Sequence, residues 1–123
     1  MEQGRRFAEH LQAGLAAAGI TQAELARRGG VTRAYVGRLL AGSQAAPTPE
    51  VVGALAAALG LAPAERLGLY AAAGLIPPEL AEVLARPAVA RLLTALAALP
   101  PGDRARLERA LAALLDLLEP AGR

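Results

Sequence analysis

The chain has 123 residues, a length that holds one domain, or a small domain with an extension. It is 54% hydrophobic, mostly Ala and Leu, with one Phe, two Tyr and no Trp, and it carries a formal net charge of +2. The absence of Cys excludes disulfides, thiol chemistry and thiolate metal sites, and with His10 and Ser43 as the one histidine and the one serine, a Ser-His-Asp triad or a histidine zinc site is not expected. Nothing in the composition asks for a cofactor, a metal or a catalytic residue.

The placement of charge is more informative than its sum. Every basic residue is Arg. Residues 1–46 carry six (Arg5, Arg6, Arg27, Arg28, Arg33, Arg38) against three Glu (Glu2, Glu9, Glu24), whereas residues 77–123 carry six of each sign. A basic first part beside a neutral second part suggests an anionic partner for the first. The longest uncharged stretch, Val51 to Ala64, contains Pro63 and is too short for a bilayer. Glu2 and the lack of an apolar run behind it argue against a signal peptide. A cytoplasmic chain with no membrane partner is expected.

Phe7, Leu11, Leu15 and Ala18 recur at helical spacing until Gly19, which predicts a first helix over about 4–18. Thr21-Gln22-Ala23-Glu24 has capping-box spacing, so a second helix begins at Thr21 and ends before Gly29-Gly30. A third starts near Thr32, turns Val36, Leu39 and Leu40 inward and stops at Gly42. After a loop over 43–47, Thr48-Pro49-Glu50 opens a fourth, about 49–59, ended by Gly60. Pro63 opens a fifth, about 63–73, ended by Gly74. Pro77-Pro78 mark a boundary between 1–76 and 77–123. Beyond it, helices are predicted over 79–85, 87–98 and about 101–118. No solenoid-length repeat and no strand pattern is present.

Residues 21–42 have the form of two short helices joined by a Gly-containing turn, the second helix polar at its start. Ala26 is small enough for the helices to cross closely, and Gly30 suits a turn that needs positive φ. With Ile20 to Ala26, Gly30-Val31-Thr32, Pro47 and Leu55 to Gly60 in order and at this spacing, residues 4–73 resemble the xenobiotic response element family, the Cro and phage-repressor type of helix-turn-helix. The resemblance implies an all-α chain: a five-helix Cro/repressor-like domain followed by a small helical C-terminal segment. It implies double-stranded DNA as partner and transcription regulation, most simply repression, as the activity.

By position, the resemblance puts Gln22 on a DNA phosphate and Thr32, Arg33, Ala34 and Tyr35 at the exposed start of the recognition helix, 32–41. Arg38 adjoins that face, four residues after Ala34. Arg33 and Arg38 are the candidate base readers, since Arg pairs bidentately with guanine O6 and N7. Tyr35 suits a sugar or a thymine methyl, and Ala34 a methyl at most. Many members carry an Arg where Leu15 stands and a Glu where Leu40 stands, paired across the domain. Here both are apolar, a joint replacement that leaves no buried charge unpaired.

In the C-terminal part, Leu107, Leu111, Leu114 and Leu118 form a stripe that Leu115 and Leu117 widen. Val89, Leu92, Leu93, Leu96 and Leu99 give the preceding helix an apolar face. Two or three helices enclose little core, so this surface is expected to be buried elsewhere. Pairing with a second copy through Leu107, Leu111, Leu114 and Leu118 is the favoured reading, and docking on the same chain the other. A two-fold dimer also suits a palindromic operator. The alternative function is an antitoxin whose C-terminal helices hold a toxin protein. An enzyme is the weakest reading: Glu79 and Glu82 without His, Cys or a polar cleft read as a solvated face.

Overall fold

A computed structural model describes residues 2–45 and 47–119; Ala46, in the expected loop, and the two chain ends lie outside the described residues. The elements are α1 (Glu2–Ala18), α2 (Gln22–Gly29), α3 (Arg33–Ala41), α4 (Pro49–Leu59), α5 (Pro63–Ala72), α6 (Pro78–Leu84), α7 (Pro87–Ala98) and α8 (Pro101–Leu118). The chain is all-helical, with no strand among the described residues.

Local chemistry accounts for most of the boundaries. Thr21, Thr32 and Thr48 are extended N-caps whose hydroxyls accept from Glu24 N, Tyr35 N and Val51 N at 3.0, 3.1 and 3.4 Å. Each satisfies one of the amides that a helix start leaves without a partner. Pro49, Pro63, Pro87 and Pro101 occupy first-turn positions, where the missing N–H costs nothing. The predicted capping box at Thr21 is only half made. Glu24 sends its carboxylate forward to Arg27 and Arg28 instead of back to the cap, because two cations outcompete one amide.

The chain folds as two compact units, one through Leu80 and one from Ala81. In the first, α1 packs on α3, α4 and α5, α2 packs on α3 and α4, and α4 packs on α5. Phe7, Leu11, Leu25, Val36, Leu39, Val52, Leu55, Leu69 and Tyr70 form its centre and are essentially inaccessible. Burial of one such side chain contributes about 1.5–3 kcal/mol. Ala18, at the end of the predicted α1 stripe, is exposed, and Leu15 is half-buried against the core. Pro77 is fully buried and Glu79 forms an ion pair with Arg66, so the start of the segment after Ile76 is packed with the first unit. Arg66 also lies over the Tyr70 ring, 4.9 Å from its centroid. Glu79 is thus a structural carboxylate, held below the ordinary carboxylate range first by its own backbone amide and then by Arg66.

The second unit is built differently. Among the described residues, none after Pro77 is buried. Arg104 of α8 donates to the carbonyls of Leu96, Ala97 and Leu99 at 3.2, 2.9 and 3.1 Å. These carbonyls lie at the C-terminal end of α7, where that of Leu96 also accepts the Leu99 amide at 3.2 Å, and α7 has no basic residue of its own in its last turn. Val83, Leu92, Leu93, Leu114 and Leu115 are exposed, and Leu117 and Leu118 are 83% and 77% accessible.

Leu15 and Leu40 line the same shallow cleft between α1 and α3, with Leu40 buried. Leu15→Arg alone is expected to lower unfolding free energy by a few kcal/mol, and adding Leu40→Glu to recover part of the loss. Denaturant titration of the double-mutant cycle checks this. Strictly additive losses would mean that the two positions do not touch.

Candidate nucleic-acid interface

The turn between α2 and α3 sets the site. Gly30 ends α2 at φ +69°, its amide returning to the carbonyls of Ala26 and Arg27 and that of Val31 to Ala26. This left-handed C-cap suits glycine, which lacks the Cβ clash. It reverses the chain within three residues, and Thr32 then starts α3. Leu25 and Ala26 from α2 and Val36, Leu39 and Leu40 from α3 are buried between the helices. The opposite face of α3 is thereby turned outward.

On that outward face stand Arg33, Ala34 and Arg38, all exposed, with half-buried Gly37 between them. Tyr35 is half-buried at the edge. Burial pushes its phenol upward, against a smaller downward pull from Arg38, so it stays a neutral hydroxyl near pH 7. Thr32 has given one acceptor position to the Tyr35 amide, which leaves its O–H as a donor. Arg33 has no hydrogen-bond or ionic partner among the described residues. Gln22 is exposed at the start of α2, and its Oε1 lies 3.9 Å from where a Cβ on Gly37 would be. The fold therefore brings Gln22 over the middle of α3.

Arg38 is the best-supported side chain of the group. Its Nε donates to Gln44 Oε1 at 2.9 Å, and its guanidinium carbon lies 5.9 Å from the centre of the Tyr35 ring. Gln44, in the loop after Gly42, has no counterpart among the residues that spacing singled out. Past Gly42 no helical period applies, so spacing carries no signal for it. Gln12 was likewise invisible: from α1 it donates to the carbonyl of Leu40 at 3.0 Å and ties down the last turn of α3.

Arg27 and Arg28 contribute less positive field than a count suggests. Both bond the carboxylate of Glu24, which Arg27 first and Arg28 second hold down at about 2. Arg28 also reaches the carbonyl of Ala58 at 3.4 Å. Among the described residues no group of three His, Cys, Asp or Glu is placed to hold a metal, and no helix is long and apolar enough to cross a membrane.

Residues 11–66 match the family model described as helix-turn-helix. They form a helix-turn-helix domain. The match runs from the middle of α1 into α5 and includes Gln22, the whole of α3 and Gln44. It supports a DNA-binding transcription regulator. Comparison with curated proteins and with solved structures returns no match. The helix-turn-helix helices are α2 and α3, so Arg33, Ala34 and Arg38 lie on the helix that such domains set into a groove, and Gln22 on the helix before it.

Glu24 makes part of this domain's stability dependent on pH. Its carboxyl lies below its ordinary value of 4.5, so the stabilisation is present above about pH 4.5 and is lost as pH falls toward about 2. The group is half-buried at the surface and solvent screens it, so the effect is small. Melting temperature followed from pH 5 to pH 2 is expected to fall less in Glu24→Gln than in the parent chain. Parallel curves would assign the acid sensitivity to other carboxylates.

Proposed function

We propose that the protein is a transcriptional repressor of the xenobiotic response element, Cro and phage-repressor type. In this reading it acts in the cytoplasm by binding alone and grips a palindromic operator as a homodimer. The observation that carries the reading is the outward face of α3, where Arg33 and Arg38 flank the small residues Ala34 and Gly37. Small residues at the centre let the helix backbone approach base edges closely. The flanking guanidinium groups supply the bidentate donors that guanine O6 and N7 accept. The Gln22 amide at the start of α2 holds a phosphate, where a helix N-terminus favours an anion. Thr32 supports it, Tyr35 packs on sugar or a thymine methyl, and Ala34 meets a methyl.

The homodimer assigns a partner to the apolar surface of residues 77–123. Leu107 and Leu111 are half-buried on one face of α8, and Leu114 and Leu118 continue that face at 55% and 77% exposure. A second copy seated on this stripe would cover leucines that this chain leaves in water, and a two-fold dimer suits a palindromic operator, whose half-sites lie about 34–36 Å apart. The same faces would serve an antitoxin holding a toxin protein, a reading that a small toxin-like reading frame beside the gene would favour.

Two measurements test these assignments. Arg33→Ala is expected to relax base preference at one operator position by about 1–3 kcal/mol, while binding by the parent chain weakens steeply with salt. If the variant weakens all sequences alike and flattens the salt slope, Arg33 holds a phosphate instead. Leu114→Glu with Leu118→Glu alters two exposed side chains and should halve the molar mass in solution. An unchanged mass would remove α8 from the dimer and leave its face to another protein.

A further inference from the structure

We infer that Gln44 is a positioning residue for base recognition: it fixes the guanidinium of Arg38 so that only the edge bearing its two terminal nitrogens meets the DNA. The inference rests on the reading of Arg38 as a base reader. An arginine can present two different donor pairs to a guanine, either its two Nη groups or Nε with one Nη, and a free side chain samples both. Here Nε–H is already engaged by Gln44 Oε1 at 2.9 Å. That bond leaves the end-on pair for the base. The Tyr35 ring, 5.9 Å from the guanidinium carbon, restricts the side chain from a second direction.

The partner is also chemically suited to the task. Glu24, Asp103 and Glu79 each hold an arginine of this chain through a carboxylate, which cancels its charge. Gln44 is neutral, so Arg38 is oriented and keeps its full positive charge for the DNA. The loop that carries Gln44 is itself held. Ser43 N donates to the carbonyl of Arg38 at 3.1 Å, which ties the loop to the backbone of the residue it orients. On the other side, a Cβ on buried Gly4 would lie 3.2 Å from the carbonyl oxygens of both Gly42 and Gln44. The first turn of α1 therefore backs the loop at backbone distance. A side chain held before binding loses less freedom when it binds, and the geometry it is held in becomes part of its specificity.

The test uses the full chain and DNA selected by it from a random pool, with affinities measured for the selected site and its single-base variants. Arg38→Ala identifies the guanine position that Arg38 reads. Gln44→Met, of similar length but with no acceptor, is expected to reduce the preference for guanine there by about three- to tenfold, part of the roughly 5- to 150-fold that a complete bidentate pair discriminates. The salt slope stays that of the parent. Gln44→Glu keeps an acceptor for Nε and should retain the preference at that position. In the Arg38→Ala background, Gln44→Met should have no further effect on base preference. If Gln44→Met leaves the preference intact although Arg38→Ala abolishes it, Gln44 has no positioning role and only this inference fails. An equal loss of affinity for every sequence, with base preference unchanged, would make Gln44 a phosphate contact and overturn it too. If Arg38→Ala changes no position, Arg38 is not a base reader and both readings fall.

Discussion

Ala26 sits where α2 meets α3, and the functional half of the molecule depends on how closely those helices approach there. Its side chain is 4% exposed, and its carbonyl accepts the amides of both Gly30 and Val31. The same residue therefore limits the interhelical distance and anchors the turn that sets the crossing. A larger side chain would lift α3 from α2 and force rearrangement in a core whose neighbours, Leu25, Val36, Leu39 and Leu55, are already inaccessible. Because those core residues fix the rotation of α3 about its axis, they also determine which side chains face outward.

The arginines show how one residue type is divided among several tasks. Arg66 and Arg106 pair with Glu79 and Asp103, and Arg27 and Arg28 share Glu24. Arg104 serves the carbonyls at the end of α7. Arg33 stands without a partner among the described residues, and Arg38 is steadied by a neutral amide. Between the two helices of the turn, the positive charge not set against a carboxylate thus lies on the outward side of α3, although α2 carries as many arginines. Net charge alone conceals this, since each cation counts the same in a sum whether or not a carboxylate lies against it.

The two units differ in what holds them. The first encloses an aliphatic core with one Phe and one Tyr and satisfies its helix ends with threonine caps and left-handed glycines. In the second, no described residue is buried, and its most specific internal bonds are those from one arginine side chain to three carbonyls. A chain segment of this size that exposes Leu92, Leu93, Leu114, Leu117 and Leu118 gains little from its own packing. These exposed leucines are the observation on which the proposed second copy rests.

Helix positions were legible because their signals are local. Thr-x-x-Glu, Thr-Pro-Glu and the glycines that follow each apolar run act over three or four residues, and they placed the boundaries of α2, α3 and α4 within about a residue. The outward set Arg33, Ala34 and Arg38 was legible for the same reason: once Val36, Leu39 and Leu40 point inward, helical periodicity assigns the rest. Three features lay beyond it. Glu24 abandons its cap for two arginines, a competition decided by where the guanidinium groups come to rest. Pro77 is packed with the first unit although Pro77-Pro78 looked like a boundary, because burial depends on which surfaces lie nearby. Gln44 reaches Arg38 from a loop without periodicity. The sequence by itself determined which stretches are helical and which face of each is apolar, since capping and amphipathicity are properties of a few adjacent residues. Only the tertiary structure decided which charges are cancelled, where the first unit ends and which neutral side chain steadies the exposed arginine, because each of those depends on residues that folding alone brings within bonding distance.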